Sequence, residues 1–382
     1  MFSVSITSTC LLNSQNATDR KRIVSNRIVI VGGGYAGAEL ARSLDTKAEV
    51  TLVEQRSHFV HSAAMIRALV TPELMDRAMI PYDKLLKRGT VVQATVASVD
   101  ETGVTLADNS RIDADYIVLA TGSDNATPFK PKGADVAGLR EDVLRINAQL
   151  KAAKTIAIVG AGAVGTELAG EIAHFMPEKK VTLISGPAHL FPDQPAKLGQ
   201  SLAAKLQAAG VNLLLGTRAE NLDNLTEPYS GTLTLSDGQT LSADLIFPVI
   251  GSRANSDLFD TLPTVSRTTA NRVVTDGYIR PSSLPNVFAT GDVADNGDAM
   301  TIVATMRQVP WLTKTLTALI SGKTVDDLKP YTKWNKPPIL VPLGPNKGNS
   351  YLSLFTVGDL LTRQLKGKDL FIKKNQKAFG RT

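Results

Sequence analysis

The sequence predicts an α/β fold made of two similar domains and a small C-terminal domain. An internal repeat is the main reason, because residues 27–42 (RIVIVGGGYAGAELAR) resemble residues 155–170 (TIAIVGAGAVGTELAG). Residues 106–123 (LADNSRIDADYIVLATGS) likewise resemble residues 235–252 (LSDGQTLSADLIFPVIGS). The two pairs are offset by 128 and 129 residues, so one unit of domain size occurs twice in register.

Each copy consists of an apolar strand, a glycine-rich turn and a segment of helical periodicity, followed by a second strand. We predict that second strand at Glu49–Glu54 in the first copy and at Lys180–Ser185 in the second. Strands that alternate with helices form a parallel sheet with helices on its faces. Two Rossmann-type dinucleotide-binding domains are therefore expected.

The composition is typical of a globular protein, because 43% of the 382 residues are apolar and 20% are charged. No apolar run reaches the length of about eighteen residues that a membrane-spanning helix needs. Cys10 is the only cysteine, which excludes an intrachain disulfide, a cysteine-type zinc site and a redox-active cysteine pair. His58 and His61 alone make no metal site, and no metal is predicted.

The first glycine turn has the spacing Gly32-x-Gly34-x-x-Gly37 between a predicted strand and a predicted helix. In such a turn the first glycine permits the tight bend and the second lets the backbone approach a pyrophosphate. The third lets the helix pack on the strand. Glu54 ends the next strand, where a carboxylate can accept hydrogen bonds from a ribose. A dinucleotide site is therefore predicted here.

The second glycine turn, Gly160-x-Gly162-x-x-Gly165, repeats the arrangement, but the strand that follows ends in Ser185. Without an acid there, the ribose 2′-position is not guarded against a phosphate. Residues 186–189 contain no arginine that would attract one either. We therefore expect this domain to accept both NADH and NADPH.

The segment Asn286–Asp292 (NVFATGD) indicates which copy binds flavin. It resembles the late glycine–aspartate motif of the FAD/NAD(P)-linked reductases, in which the aspartate contacts the ribityl chain of FAD. In that superfamily the first glycine motif binds FAD, the second binds the nicotinamide nucleotide, and the chain then returns to the FAD domain. Thr121 and Gly122 match its ATG segment, and Gly251 belongs to the counterpart in the second copy.

This order predicts a discontinuous FAD-binding domain at residues 27–148 and 266–325. The NAD(P)H-binding domain is predicted at residues 149–265, and a C-terminal domain at residues 326–382. Residues 1–26 read as a disordered leader, with a mitochondrial targeting peptide as the alternative.

The chain further resembles the apoptosis-inducing-factor-like NAD(P)H:quinone reductases, which include the ferroptosis suppressor proteins and are near relatives of type II NADH dehydrogenases. The likeness rests on the glycine motifs, on residues 59–67 (FVHSAAMIR) and on residues 357–371 (VGDLLTRQLKGKDLF). It implies FAD as cofactor, NADH or NADPH as electron donor, and a ubiquinone or vitamin-K-type quinone as acceptor. Matched positions then predict FAD contacts from Gly32, Gly33, Gly34, Tyr35, Ala36, Arg67, Val96 and Asp292.

The same resemblance implies roles in the reaction for Glu167 and Lys366. The glutamate that matches Glu167 in related quinone reductases points toward the nicotinamide and flavin rings. The alternative is a carboxylate that complements the helix dipole, since Glu39 holds the same place in the first copy. Lys366 matches a family lysine near the quinone pocket, where a cation would stabilise developing negative charge. A solvated tail lysine is the alternative.

Members of this family from animals carry a lipid on the glycine after the first methionine, whereas this chain begins Met1-Phe2. We therefore expect a cytoplasmic protein that contacts a membrane surface peripherally through residues 357–374, which interleave apolar and basic side chains. A segment that covers the core or forms a homodimer is the alternative.

Two other functions remain open from the sequence. Since no cysteine pair is present, electrons must leave the flavin directly, and a small iron–sulfur protein or monodehydroascorbate is an alternative acceptor to a quinone. Outside enzymes, the alternative is a nucleic-acid-binding redox sensor of the apoptosis-inducing-factor type. No basic helix or aromatic array supports nucleic-acid binding, so no such partner is expected.

Overall fold

The computed structural model describes residues 26–125 and 129–381, so all of the predicted leader except Asn26 lies outside the described residues. The first sheet has five parallel strands in the spatial order Val287–Ala289, Tyr116–Leu119, Arg27–Val31, Glu49–Glu54 and Thr90–Gln93. The edge strand Val287–Ala289 comes from the part of the chain that follows the whole second copy. The chain therefore returns to the first sheet just before the glycine–aspartate motif, as the superfamily order predicts.

Both faces of the first sheet are covered, because alternate residues of its central strand point to opposite sides. Ile28 and Ile30 share a buried core with the helices Tyr35–Leu44 and Ile302–Ile320. Val29 and the residues that share its face pack against an antiparallel sheet of three short strands, Val96–Asp100, Gly103–Leu106 and Arg111–Asp113.

The second sheet repeats the first around Thr155–Val159, which lies between the parallel strands Lys180–Ser185 and Thr240–Pro248. Asn212–Leu215 extends it in parallel on one side, and Tyr229–Thr234 pairs antiparallel on the other. The second strand of each copy has the predicted bounds. Three helices bury their apolar faces against this sheet: Val136–Ala152, Ala163–Phe175 and Ala196–Ala208.

We call the first sheet with the elements packed on it the first unit, and the second sheet with its helices the second unit. A third, antiparallel sheet lies in the C-terminal part and packs on the second unit. Its strands are Ile339–Leu343, Lys347–Tyr351 and Thr356–Val357. The approach to the helix Ala163–Phe175 is so close that a Cβ at Gly170 would lie 2.6 Å from Leu343 Cα. Glycine is needed at this position because a methyl group would push the sheet away.

The tail that follows contains the helix Asp359–Thr362, a π-helical turn at Arg363–Gly367 and a last helix at Ile372–Ala378. Phe379, directly after the last helix, packs against Phe59 of the first unit, with ring centroids 4.8 Å apart. The C-terminal part therefore contacts both dinucleotide-binding units.

The prediction that residues 357–374 form one surface-facing segment needs a correction. Leu370 and Ile372 are each only 1% exposed, because they pack into the core shared with the second unit. This half of the segment covers the core, which is the alternative that the same pattern allowed.

Short elements complete the described part of the chain. Ser123–Asn125 and Ser252–Ala254 pair antiparallel, so the chain leaves corresponding strands of the two units side by side. No helix in the described ranges has both the length and the apolar character needed to cross a membrane. Other elements are the helices Ser62–Ala68 and Met75–Ala78, the strand pairs His58–Val60 with Met79–Pro81 and Val273–Val274 with Ala294–Asp295, and 3-10 turns at Pro72–Leu74, Tyr82–Lys84, Asp257–Thr261, Gly291–Val293 and Val325–Asp327.

Candidate active site

The first glycine turn has the backbone geometry that an approach to a pyrophosphate requires. Gly32 has a φ of +101°, and a Cβ at Gly37 would lie 1.8 Å from the Gly32 carbonyl oxygen, so both positions need glycine. Around Gly34, no atom of the described residues other than the glycine and its two chain neighbours lies within 4 Å of where a Cβ would stand. Space therefore remains open in front of the helix N-terminus, where a phosphate is favoured.

Glu54 is buried at the end of its strand and fixes this turn. Its Oε2 accepts a hydrogen bond from the Gly33 N–H at 2.5 Å, and its Oε1 accepts one from the Arg56 N–H at 2.9 Å. The Tyr82 hydroxyl donates to the Gly33 carbonyl at 2.7 Å. The carboxylate thus lies at the turn, and its hydrogen bond to a ribose stays a prediction.

The glycine–aspartate motif lies against the first glycine turn. A Cβ at Gly291, whose φ is +79°, would be 3.2 Å from Ala36 Cβ. Asp292 accepts a hydrogen bond from Ser123 Oγ at 2.7 Å, and Lys130 Nζ lies 3.7 Å from the same carboxylate. The Asp292 side chain is still 25% exposed, so its carboxylate can be reached from outside the fold.

The ATG segment and its counterpart are held close to one another between the two sheets. Thr121 Oγ1 donates to the Asn255 carbonyl at 2.6 Å, and the Asn255 N–H donates to the Gly122 carbonyl at 3.0 Å. Gly122 and Gly251 each have a φ of +70°, which is the same conformation at equivalent positions of the two copies. Val96 begins an edge strand of the three-stranded antiparallel sheet and is half-buried against the core that this sheet shares with the first sheet. Its contact with FAD stays a prediction.

The second glycine turn reproduces the geometry of the first. Gly160 has a φ of +110°, and a Cβ at Gly165 would lie 1.9 Å from the Gly160 carbonyl oxygen. Apart from Gly162 itself and its two chain neighbours, no atom of the described residues lies within 4 Å of where a Cβ at Gly162 would stand. Ser185 is buried at the end of the neighbouring strand. The chain therefore contains two equivalent cradles for a dinucleotide.

Glu167 and Lys366 form an ion pair between the second unit and the tail. Lys366 Nζ lies 2.6 Å from Glu167 Oε1 and donates to the Leu340 carbonyl at 3.2 Å. The Lys366 side chain is 12% exposed and the Glu167 side chain 4%, so Lys366 is not the solvated tail lysine of the alternative interpretation. Burial raises the pKa of Glu167, and the nearby ammonium opposes this shift.

The first copy provides a comparison for Glu167. Glu39, at the equivalent position, forms an i,i+3 ion pair with Arg42 on the helix surface, and its side chain is 27% exposed. Glu167 is instead buried and paired with a residue 199 positions away. The two glutamates therefore have different surroundings, and the resemblance between the copies does not make Glu167 a surface carboxylate.

A second buried ion pair lies close to the first. Arg67 Nε and Nη2 each donate to one carboxylate oxygen of Glu171 at 2.8 Å, and Nη1 donates to the Gly367 carbonyl at 2.9 Å. The sequence interpretation missed Glu171, although an acid four residues after Glu167 in an apolar helix was an available signal. These hydrogen bonds use all three nitrogen atoms of the Arg67 guanidinium. The predicted contact of Arg67 with FAD stays a prediction.

His61 joins the first unit to the tail, which the sequence did not indicate. Its Nε2 is hydrogen-bonded to the Leu370 carbonyl, and its Nδ1 lies 2.6 Å from the Tyr35 hydroxyl oxygen. Because a carbonyl only accepts, Nε2 carries the proton and the Tyr35 hydroxyl donates to Nδ1. Burial lowers the pKa of His61 to about 4 and raises the pKa of Tyr35 to about 12.

A sequence profile described as pyridine nucleotide-disulphide oxidoreductase matches residues 26–309, with a shorter match at residues 4–80. The chain belongs to this oxidoreductase family. The oxidoreductase is 32% identical over 369 residues to apoptosis-inducing factor homolog B of Dictyostelium discoideum, which covers 91% of this chain and 95% of the relative. It is 26% identical over 371 residues to ferroptosis suppressor protein 1 of Xenopus tropicalis, covering 94% and 97%.

Solved structures show the same fold. The structure of NDH2 from Plasmodium falciparum in complex with NADH matches the oxidoreductase with a TM-score of 0.71 at 15% identity, covering 94% of this chain and 99% of that one. The predicted fold class and the predicted resemblance are therefore confirmed.

Family membership also confirms the predicted cofactors, FAD and NAD(P)H. The two glycine cradles fit them, because each has a free approach at its second glycine and a helix N-terminus behind it. With one cysteine, the oxidoreductase has no intrachain disulfide chemistry, despite the family's description.

Proposed function

We propose that this flavin-dependent oxidoreductase passes electrons from NAD(P)H to a quinone. The buried pair of Glu167 and Lys366 carries the proposal. When bound, FAD accepts a hydride from the nicotinamide and passes two electrons to an acceptor. Reduction of a quinone to its quinol takes two protons as well as two electrons. One proton arrives with the hydride from NAD(P)H and the other comes from the medium, so the acceptor site needs a proton carrier and a positive charge.

Lys366 supplies the positive charge. The π-helical turn Arg363–Gly367 directs its ammonium group into the fold, where it lies beside Glu167 Oε1 and the Leu340 carbonyl. Such turns are frequent at functional sites. A fixed ammonium in a water-poor environment stabilises negative charge on a reduced acceptor more strongly than one in solvent does.

Glu167 supplies a carrier for the proton. It lies five residues after Gly162 on the helix that follows the second glycine turn, and burial raises the pKa of its carboxyl group. A carboxyl group whose pKa is raised can hold a proton and release it during turnover, here at Oε2, because Oε1 accepts the hydrogen bond from Lys366. The helix-dipole role remains the alternative for this residue.

The arrangement also supports contact with a membrane, where apolar quinones are found. We define the terminal apolar patch as the exposed side chains Leu354, Phe355, Leu360, Leu361 and Leu365, of which Leu354 is 87% and Leu360 66% exposed. The sequence interpretation missed Leu354 and Phe355, which lie in the turn between two strands of the terminal sheet. The basic side chains of Lys347, Arg363 and Lys368 are exposed near this patch in the chain, which suits an anionic lipid surface.

Steady-state oxidation of NADH by the purified holoenzyme tests the proposed acceptor. The assay compares a soluble ubiquinone analogue, a menadione-type quinone, ferricyanide, monodehydroascorbate and a ferredoxin under matched conditions. We expect the highest kcat/KM with a quinone. Turnover confined to ferredoxin or to monodehydroascorbate would select the alternative enzymes, and the quinone proposal would fail.

A further inference from the structure

The second unit carries an exposed arginine beside the end of its second strand. The strands Lys180–Ser185 and Asn212–Leu215 are parallel neighbours, with Ser185 opposite Leu215. The residues that follow these two strands therefore meet at one edge of the sheet. Here the side chain of Arg218 lies against Gly186, where a Cβ would be 3.1 Å from both Cγ and Nε of the arginine.

The backbone at Arg218 is firmly held while its side chain is exposed. Its N–H donates to Ser236 Oγ at 3.0 Å, and its carbonyl accepts from the Ser236 N–H at 2.8 Å. The preceding Thr217 N–H donates to the Ser185 carbonyl at 3.1 Å, which ties the loop to the end of the strand. None of the ion pairs between described residues involves the Arg218 guanidinium, so its charge is available to a ligand.

This edge is where a Rossmann-type domain holds the adenosine ribose. A carboxylate at the end of the second strand binds the ribose 2′-hydroxyl of NAD(H) and repels a 2′-phosphate. In this chain Ser185 takes that position, so the repulsion is missing. A guanidinium close by adds attraction, because its planar fork binds phosphate through two charge-assisted hydrogen bonds.

We propose that Arg218 binds the 2′-phosphate of NADPH and makes this oxidoreductase bind NADPH more tightly than NADH. The sequence alone does not indicate this arginine, because it lies in the loop after the next strand and only the sheet brings it beside residues 186–189. Gly186 belongs to the same site, since a side chain there would displace the guanidinium. The proposal rests on nicotinamide binding by the family and is independent of the electron acceptor.

Direct binding tests the proposal without turnover. Titration calorimetry of the FAD-loaded full chain compares 2′,5′-ADP with 5′-AMP, which differ only in the 2′-phosphate. We expect Arg218→Gln to weaken 2′,5′-ADP binding at least about tenfold, as the loss of a charge-assisted contact predicts. The change for 5′-AMP should be several times smaller, so the ratio of the two dissociation constants reports on the 2′-phosphate alone.

Lys180→Gln provides the matched control. This exposed lysine lies at the opposite end of the same strand, about 16 Å from Ser185 at the usual rise per residue, and the variant loses the same single charge. We expect it to leave the ratio of the two dissociation constants unchanged. Arg218→Lys should retain part of the preference, because an ammonium keeps the charge but not the fork.

Added salt gives a second readout. It should weaken 2′,5′-ADP binding by the wild type more steeply than binding by Arg218→Gln, since screening acts on the removed attraction. An unchanged ratio in Arg218→Gln, or an equal change in Lys180→Gln, would overturn the proposal. Equal weakening of both ligands by Arg218→Gln would likewise overturn it, because the arginine would then support the loop rather than read the phosphate.

Discussion

Lys366 Nζ lies 2.6 Å from Glu167 Oε1, so the tail and the helix after the second glycine turn share one buried ion pair. Arg67 adds a link from the first unit to the same place, because it binds both Glu171 on that helix and the Gly367 carbonyl in the tail. The tail, the helix after the second glycine turn and the helix Ser62–Ala68 therefore meet around these two ion pairs. The geometry around this ion pair therefore depends on the correct position of the tail.

The pair of Arg67 and Glu171 should be strongly coupled, because each side chain is nearly buried and each leaves a charge behind when its partner is removed. We expect Arg67→Met to lower the free energy of unfolding by about 3–5 kcal/mol. The double variant Arg67→Met, Glu171→Leu should recover a large part of that loss. Urea unfolding of the wild type, Arg67→Met, Glu171→Leu and the double variant measures the coupling, and strictly additive losses would show that the pair does not act as a unit.

The two glycines of the first turn should respond differently to alanine. Gly37→Ala should destabilise the apoprotein by at least about 2 kcal/mol, since its Cβ would overlap the Gly32 carbonyl oxygen. Gly34→Ala should leave apoprotein stability nearly unchanged and weaken FAD binding, because its Cβ enters open space where a pyrophosphate would approach. Urea unfolding and FAD titration separate the two effects. Normal FAD affinity of Gly34→Ala would argue against the cradle.

His61 should make stability depend on pH. Its pKa in the folded protein is about 4, below the value of 6.5 for an ordinary histidine, so the unfolded chain binds more protons between these values. The contribution is complete above pH 6.5 and is lost as the pH falls toward 4, by about 3 kcal/mol in total. His61→Gln should remove this part of the slope between pH 6.5 and 4. His189→Gln, which changes an exposed histidine, should keep it.

The sequence predicted the elements whose causes are local. Both glycine turns and both second strands follow from spacing and repetition, whereas the return of the chain before Asp292 follows from the resemblance to the superfamily. The structure has all of them as expected. The contacts of the tail could not be predicted in this way. Whether Leu370 is buried and Leu360 exposed depends on which face of an irregular tail meets the second unit, and no period in the sequence determines that.

The terminal apolar patch should bind anionic membranes. Replacing Leu354, Phe355, Leu360 and Leu361 by serine removes apolar side chains that are each worth about 1.5–3 kcal/mol when buried. We expect this variant to lose salt-sensitive sedimentation with anionic liposomes while it still reduces a soluble quinone. The double variant Leu144→Ser, Leu225→Ser, which alters exposed leucines elsewhere, is the control and should bind as the wild type does. Equal binding by the patch variant would remove this surface from the membrane.

We expect the buried pair of Lys366 and Glu167 to serve quinone reduction. Stopped-flow spectroscopy tests it most directly, because it follows reduction of the flavin by NADH and its reoxidation by a soluble quinone as separate steps. We expect Lys366→Met to slow reoxidation by quinone at least about tenfold, or about 1.4 kcal/mol of barrier, and to slow reduction by NADH much less. Circular dichroism and flavin content establish that the variant is folded and loaded. Reoxidation at the wild-type rate in a folded, flavin-loaded Lys366→Met variant would show that this ammonium group has no part in quinone reduction.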